Sequence, residues 1–226
     1  MKTEILQRPA NTIVKLELNA GEELTAEGGS MVAMSPGLSV ETTTHKRGKR
    51  SLRKAGKRLL AGESLFMNHY KCEADKATLF LAPTLSGDIV HRPLENGKTL
   101  IVQGSSFVAH WGNVDMDMKW QGFKSLIAKE GMFWIKLSGS GELLLNAFGA
   151  IYPVDVDGEY IVDTGHIVAF EEGLDFKLSK AGSSWMGSFM GGEGFVARFK
   201  GKGRLWCQSH NQSAFGYILG PMLRPR

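Results

Sequence analysis

With 226 residues, 42% of them hydrophobic and 22% charged, the chain has the length and composition of a folded globular protein with a sizeable core. No run of about 18 apolar residues appears, and Met1-Lys-Thr-Glu-Ile opens without the charged and apolar regions of a signal peptide, so a soluble cytoplasmic protein is expected. The net charge of +4 hides an asymmetry: Lys46, Arg47, Lys49, Arg50, Arg53, Lys54, Lys57 and Arg58 lie in a stretch without an acid, and the remainder holds 19 basic against 23 acidic residues.

The first element read from the pattern is a strand, since Val14, Leu16 and Leu18 alternate with Lys15, Glu17 and Asn19. Leu24 to Ala26 and Met31 to Met34 read as two short strands forming a hairpin around Gly28-Gly29. The same reading fits Leu100 to Val102 with Phe107 to Ala109, and Tyr160 to Val162 with Ile167 to Phe170. In each copy a glycine precedes Leu24, Leu100 or Ile161, a second glycine follows at Gly28, Gly104 or Gly165, and a Val-Ala pair closes the stretch. By this alignment the third copy is one residue short before Val168, and Leu24, Leu100 and Ile161 are expected in equivalent buried places.

Between residues 49 and 60, Leu52, Ala55, Gly56, Leu59 and Leu60 mark one face of a helix whose other face is basic. Short helices are expected there and near residues 123–128 and 183–190. Each copy then continues with a strand rich in large apolar residues, a polar or glycine-rich turn, and a return strand. The turns are read at Glu73 to Lys76, Ser138 to Gly141 and Lys200 to Gly203.

The expected architecture is an all-β single domain of three structural repeats, about residues 1–90, 91–153 and 154–226, closed around a pseudo-threefold axis with short helices between hairpins. Cys72 and Cys207 lack metal-site or disulfide spacing and are expected as buried free thiols. The six histidines form no ligand pattern, and Asp155, Asp157 and Asp163 lack the spacing of a calcium loop. No nucleophile, base and orienting group assemble, so neither a catalytic residue, a metal, a cofactor nor a small-molecule substrate is expected.

Two surface elements remain as candidates. The eight basic residues named above suit an anionic partner, with a membrane surface preferred over nucleic acid because the stretch holds no aromatic platform for stacking bases. Trp185, Met186, Phe189 and Met190 form an apolar cluster suited to self-association, as a trimer or larger ring.

Gly28-Gly-Ser-Met-Val-Ala-Met34, Leu59-Leu-Ala-Gly-Glu-Ser-Leu-Phe-Met67, Gly87-Asp-Ile-Val90 and Val162-Asp-Thr-Gly-His-Ile-Val-Ala-Phe170 together resemble the mitochondrial biogenesis family named for altered inheritance of mitochondria. The resemblance spans nearly the whole chain. It implies a double-stranded β-helix of the kind found in the tryptophan RNA-binding attenuation protein, repeated three times, and carries no catalytic residues. With no transit peptide, a bacterial or archaeal member is expected. A non-enzymatic binding or scaffold protein is the leading functional reading; an RNA-binding protein, or a ligand site or enzyme in the barrel funnel, are the alternatives.

Overall fold

A computed structural model describes residues 1–43, 66–118, 133–180 and 195–223. The described chain is mostly β, in large antiparallel sheets. The first strands are β1 (Lys2–Leu6), β2 (Ile13–Asn19), β3 (Glu23–Glu27), β4 (Met31–Met34) and β5 (Leu38–Thr43). After the gap come β6 (Met67–Cys72), β7 (Lys76–Leu81), β8 (Ile89–Leu94), β9 (Thr99–Gln103) and β10 (Phe107–Asp117). The remaining strands are β11 (Trp134–Asn146), β12 (Ile151–Asp163), β13 (Ile167–Glu171), β14 (Asp175–Lys180) and β15 (Phe195–Gln208). One α-helix is present among the described residues, α1 (Gln212–Leu219).

Strand β2 has the alternation read from its sequence: Val14, Leu16 and Leu18 are buried while Lys15 and Glu17 reach the surface. It pairs with β1 and β7, and β7 pairs in turn with β4, giving a four-stranded sheet. The other strands run on as one larger sheet in which β10, β11, β12 and β15 are long. Their length comes from glycine bends. Gly139 has φ +109° and Gly201 φ +119°, backbone that side chains rarely adopt, and a Cβ on Gly139 would meet the Asn113 carbonyl oxygen at 2.2 Å.

These bends correct two of the expected turns. Ser138 to Gly141 and Lys200 to Gly203 lie inside the continuous strands β11 and β15. Glycine with positive φ serves a strand that bends between partners as well as one that reverses, and the local sequence does not separate the two. Glu73 to Lys76 does not fold β6 and β7 into a hairpin either: the two do not pair with each other but follow one another along the β2–β3 stretch, β6 opposite β3 and β7 opposite β2.

The expected hairpins around Gly28, Gly104 and Gly165 are also corrected. β3 pairs with β6 and β10, β4 pairs with β7, β9 pairs with β11 and β13, and the 160–162 part of β12 pairs with β15. The connections at Gly104–Ser106 and Thr164–His166 are 3-10 turns whose flanking strands do not pair with each other but with opposite edges of a shared third strand, β9 and β10 with β11, and β12 and β13 with β15. Those turns also put Thr164, not Gly165, in the place of Gly104, so no residue is missing before Val168.

Leu24 and Leu100 are buried as expected, whereas Ile161 is 46% exposed. Strand β9 has a neighbour on each side, but residues 160–162 have one only among the described residues, so the face around Ile161 lacks a second cover. Cys72 and Cys207 are free and buried, and burial raises the Cys207 thiol to about 12. Helix α1 was not legible in the sequence. Its N-terminus is capped by Asn211, whose Oδ1 accepts from the Ser213 and Ala214 amides, and its Phe215, Tyr217 and Ile218 are exposed. The expected helices near residues 49–60, 123–128 and 183–190 fall largely or wholly outside the described residues.

Candidate functional site

The eight basic residues from Lys46 to Arg58, and Trp185, Met186, Phe189 and Met190, lie outside the described residues. The described part offers a different site, a groove of about 550 Å³ between β3, β5 and β6 on one side and the second half of β10 on the other. Strand β10 pairs with β3 at Ala109, opposite Ala26, and His110, opposite Thr25. At Gly112, with φ +90°, it bends away while keeping its pairing with β11, and the groove opens where it departs.

Two histidines define the polar side of this groove, and neither spacing nor pattern marked them, because strand register joins them over a long stretch of chain. His69 is held at both ring nitrogens, by Thr25 Oγ1 at 2.9 Å and Thr43 Oγ1 at 2.8 Å. His110 has a buried Nδ1 without a hydrogen-bond partner. Burial, reinforced by the nearby His69, lowers the His110 imidazole to about 4, so it is neutral at physiological pH. Such a ring is a weak base, far from the pKa near 7 that suits proton transfer, but it can form a hydrogen bond with a ligand.

Beside the histidines the groove has mixed walls, with Val40, Val114 and Met116 among Glu23, Glu41, Lys71 and Asp115. Trp111 at the same end stacks on His91 with ring centroids 5.2 Å apart, and His91 Nε2 lies 2.8 Å from Glu142. Lys71 and Glu23 pair across the rim at 3.2 Å. A concavity of this size, with apolar and polar groups side by side in its walls, is a candidate small-ligand site.

The other polar residues singled out in the sequence have structural partners. His166 donates from Nδ1 to the Gln208 carbonyl at 2.8 Å. Asp163 caps the 3-10 turn by accepting from the Gly165 amide, Asp155 pairs with Arg204 at 2.6 Å, and Asp157 faces Lys202 at 3.9 Å.

The sequence profile described as Mitochondrial biogenesis AIM24 matches residues 3–210. The chain belongs to that family. The match agrees with the resemblance carried by the glycine-rich stretches. An uncharacterized protein of Streptococcus pyogenes serotype M6 is 30% identical over 214 residues, covering 92% of this chain and 85% of the relative. The crystal structure of protein SPYM3_0169 from Streptococcus pyogenes is similar with a TM-score of 0.80 and 29% identity, covering 98% of this chain and 99% of that one. Both are prokaryotic relatives, as expected for this AIM24-family chain. Among its described residues no helix is long and apolar enough to cross a membrane.

Proposed function

We propose that this AIM24-family chain is a non-enzymatic binding and scaffold protein of the cytoplasm, built from three repeated units of the double-stranded β-helix kind. The groove beside β10 carries the reading. It has the size of a ligand site, one histidine is held rigid by two threonines, and the other is kept neutral and weakly basic, which suits holding a small, partly apolar molecule rather than exchanging protons with it. The test is a fragment screen by native mass spectrometry on the intact protein and on His110→Phe. Compounds that fill the groove should lose about tenfold in affinity, the worth of one hydrogen bond of roughly 1.4 kcal/mol, and should be recovered unchanged. Turnover of a bound compound, or equal binding to both proteins, would overturn the reading.

The basic residues Lys46 to Arg58 extend the same reading to an anionic membrane surface, with the exposed apolar residues of α1 as support for a lipid-facing side. Each Lys or Arg near such a surface contributes about 1 kcal/mol. Changing Arg50, Arg53, Lys54, Lys57 and Arg58 to Gln is expected to remove most of the binding to vesicles rich in anionic lipid, measured by co-sedimentation. If single-stranded RNA at equal salt binds the intact protein and the vesicles do not, the nucleic-acid alternative replaces this one.

A further inference from the structure

Two in-chain junctions between successive units follow one rule. Strand β10 lies on β3 with Ala109 opposite Ala26 and His110 opposite Thr25. Strand β13 lies on β9 with Ala169 opposite Val102 and Phe170 opposite Ile101. In each case the strand that follows the tight turn of one unit covers the strand that precedes the tight turn of the unit before it. By that rule β4, which follows the turn at Gly28-Gly29, has a preceding strand to cover. Likewise residues 160–162 of β12, which precede the turn at Thr164–His166, have a following strand to receive.

Among the described residues neither edge has such a mate. Among the described residues β4 pairs with β7 alone, and residues 160–162 pair with β15 alone. Both edges leave large apolar side chains in the open, Met31, Val32 and Met34 on one and Tyr160 and Ile161 on the other. The matching residues at the closed junctions are covered. Val108 and Val168 are 1% and 0% exposed against 56% for Val32, and Ile101 is 0% exposed against 46% for Ile161.

An unpaired apolar sheet edge invites another strand, and each copy of this chain carries one edge of each kind. We propose that β4 of one copy pairs antiparallel with residues 160–162 of β12 in a second copy, head to tail, with Ala33 opposite Val162 and Met34 opposite Ile161. The register is the one both closed junctions use, carried over by place in the unit. The sheet that ends at β4 in one copy and the sheet that ends at β12 in the next thereby become one, as β3 and β10 already join two halves inside the chain. The inference rests on the three-unit reading and names the partner of the scaffold: another copy of itself. Because the two edges differ, the contact is heterologous and adds copies in one direction until the ring closes.

Light scattering after size exclusion at micromolar concentration should give one species of three or more chains. Val32→Glu and Ile161→Lys alter side chains exposed in the single chain, so each should leave the far-ultraviolet circular dichroism unchanged while abolishing the assembly. Each variant keeps one intact edge. Mixing the two should therefore give dimers and nothing larger, which a symmetric face-to-face contact cannot produce. Oxidising the double variant Ala33→Cys, Val162→Cys should link different chains, since directly opposed residues in an antiparallel pair lie about 4.5–5.5 Å apart, within disulfide reach. A monomeric intact protein, an assembly that survives both charged variants, a mixture without dimers, or a disulfide formed within one chain would each overturn the inference. Ligand binding in the groove is read separately by the His110→Phe comparison, so a failure here is distinguishable from a failure of the binding reading.

Discussion

Replacing Phe170 by alanine is expected to lower the unfolding free energy by about 4 kcal/mol, with a clear drop in the urea midpoint. Phe170 is 1% exposed on β13 and sits among aromatic rings, with Trp134, Phe176 and Phe199 at centroid distances of 5.7, 5.3 and 5.1 Å, all edge-on. Truncation removes the transfer free energy of the ring and leaves a cavity that three rigid neighbours cannot collapse to fill. Since Phe170 lies opposite Ile101 of β9, the loss falls at the contact of β13 with β9 as well as within the aromatic group. Phe170→Leu should cost markedly less, and Tyr217→Ala, at an 82% exposed position on α1, should stay within about 0.5 kcal/mol. Equal midpoints for Phe170→Ala and Tyr217→Ala would show that this aromatic group does not hold the sheet together.

Asp88→Ala is expected to cost about 3 kcal/mol, although Asp88 lies just before a strand rather than in the apolar core. Its carboxylate accepts from Arg8 Nε at 2.9 Å and from a second Arg8 guanidinium nitrogen at 2.7 Å, from Thr12 Oγ1 at 3.1 Å and from its own neighbour's amide, Ile89, at 2.8 Å. Its backbone donates to the Gly149 carbonyl and accepts from the Ala147 amide. The residue thus ties the segment between β1 and β2 to the start of β8 and the end of β11. Arg8 is half exposed and can rehydrate when the carboxylate is lost, but Thr12 is buried and would keep an unpaired hydroxyl. Asp88→Asn should cost less, because an amide oxygen still accepts from Thr12 while the charge-assisted pair with Arg8 is gone. A double-mutant cycle with Arg8→Ala, read from urea unfolding, should give a coupling of about 1–2 kcal/mol. Additive effects would mean that the bidentate pair contributes nothing specific.

Asp88 also gives a physical meaning to one of the stretches that carried the family resemblance. Gly87-Asp-Ile-Val90 reads in sequence as a signature without a role. In the fold, a Cβ on Gly87 would lie 1.8 Å from the Ala147 carbonyl oxygen, so the glycine permits a close backbone approach while Asp88 anchors the segment beside it. Nothing local announces either fact, because both partners come from distant parts of the chain.

Periodicity was enough for the strands themselves: the alternation in β2 and the apolar runs of β9 and β13 mark which residues go inside, since burial imposes its period on the side chains whatever the partner. The family and the mostly-β class were legible for the same reason, in recurring glycines and Val-Ala pairs. Pairing was not. Strands flanking a tight turn satisfy the hairpin pattern equally well when they pair with a third strand instead of with each other, and glycine with positive φ marks a tight turn at Gly29 and a bend within a strand at Gly139. The meeting of His69 and His110 and the anchoring by Asp88 depend on register between segments far apart in sequence. Most plainly, Leu100 and Ile161 are apolar residues in similar settings, and only the tertiary structure covers one with β13 and leaves the other open, because burial at a sheet edge is decided by whether a second strand arrives.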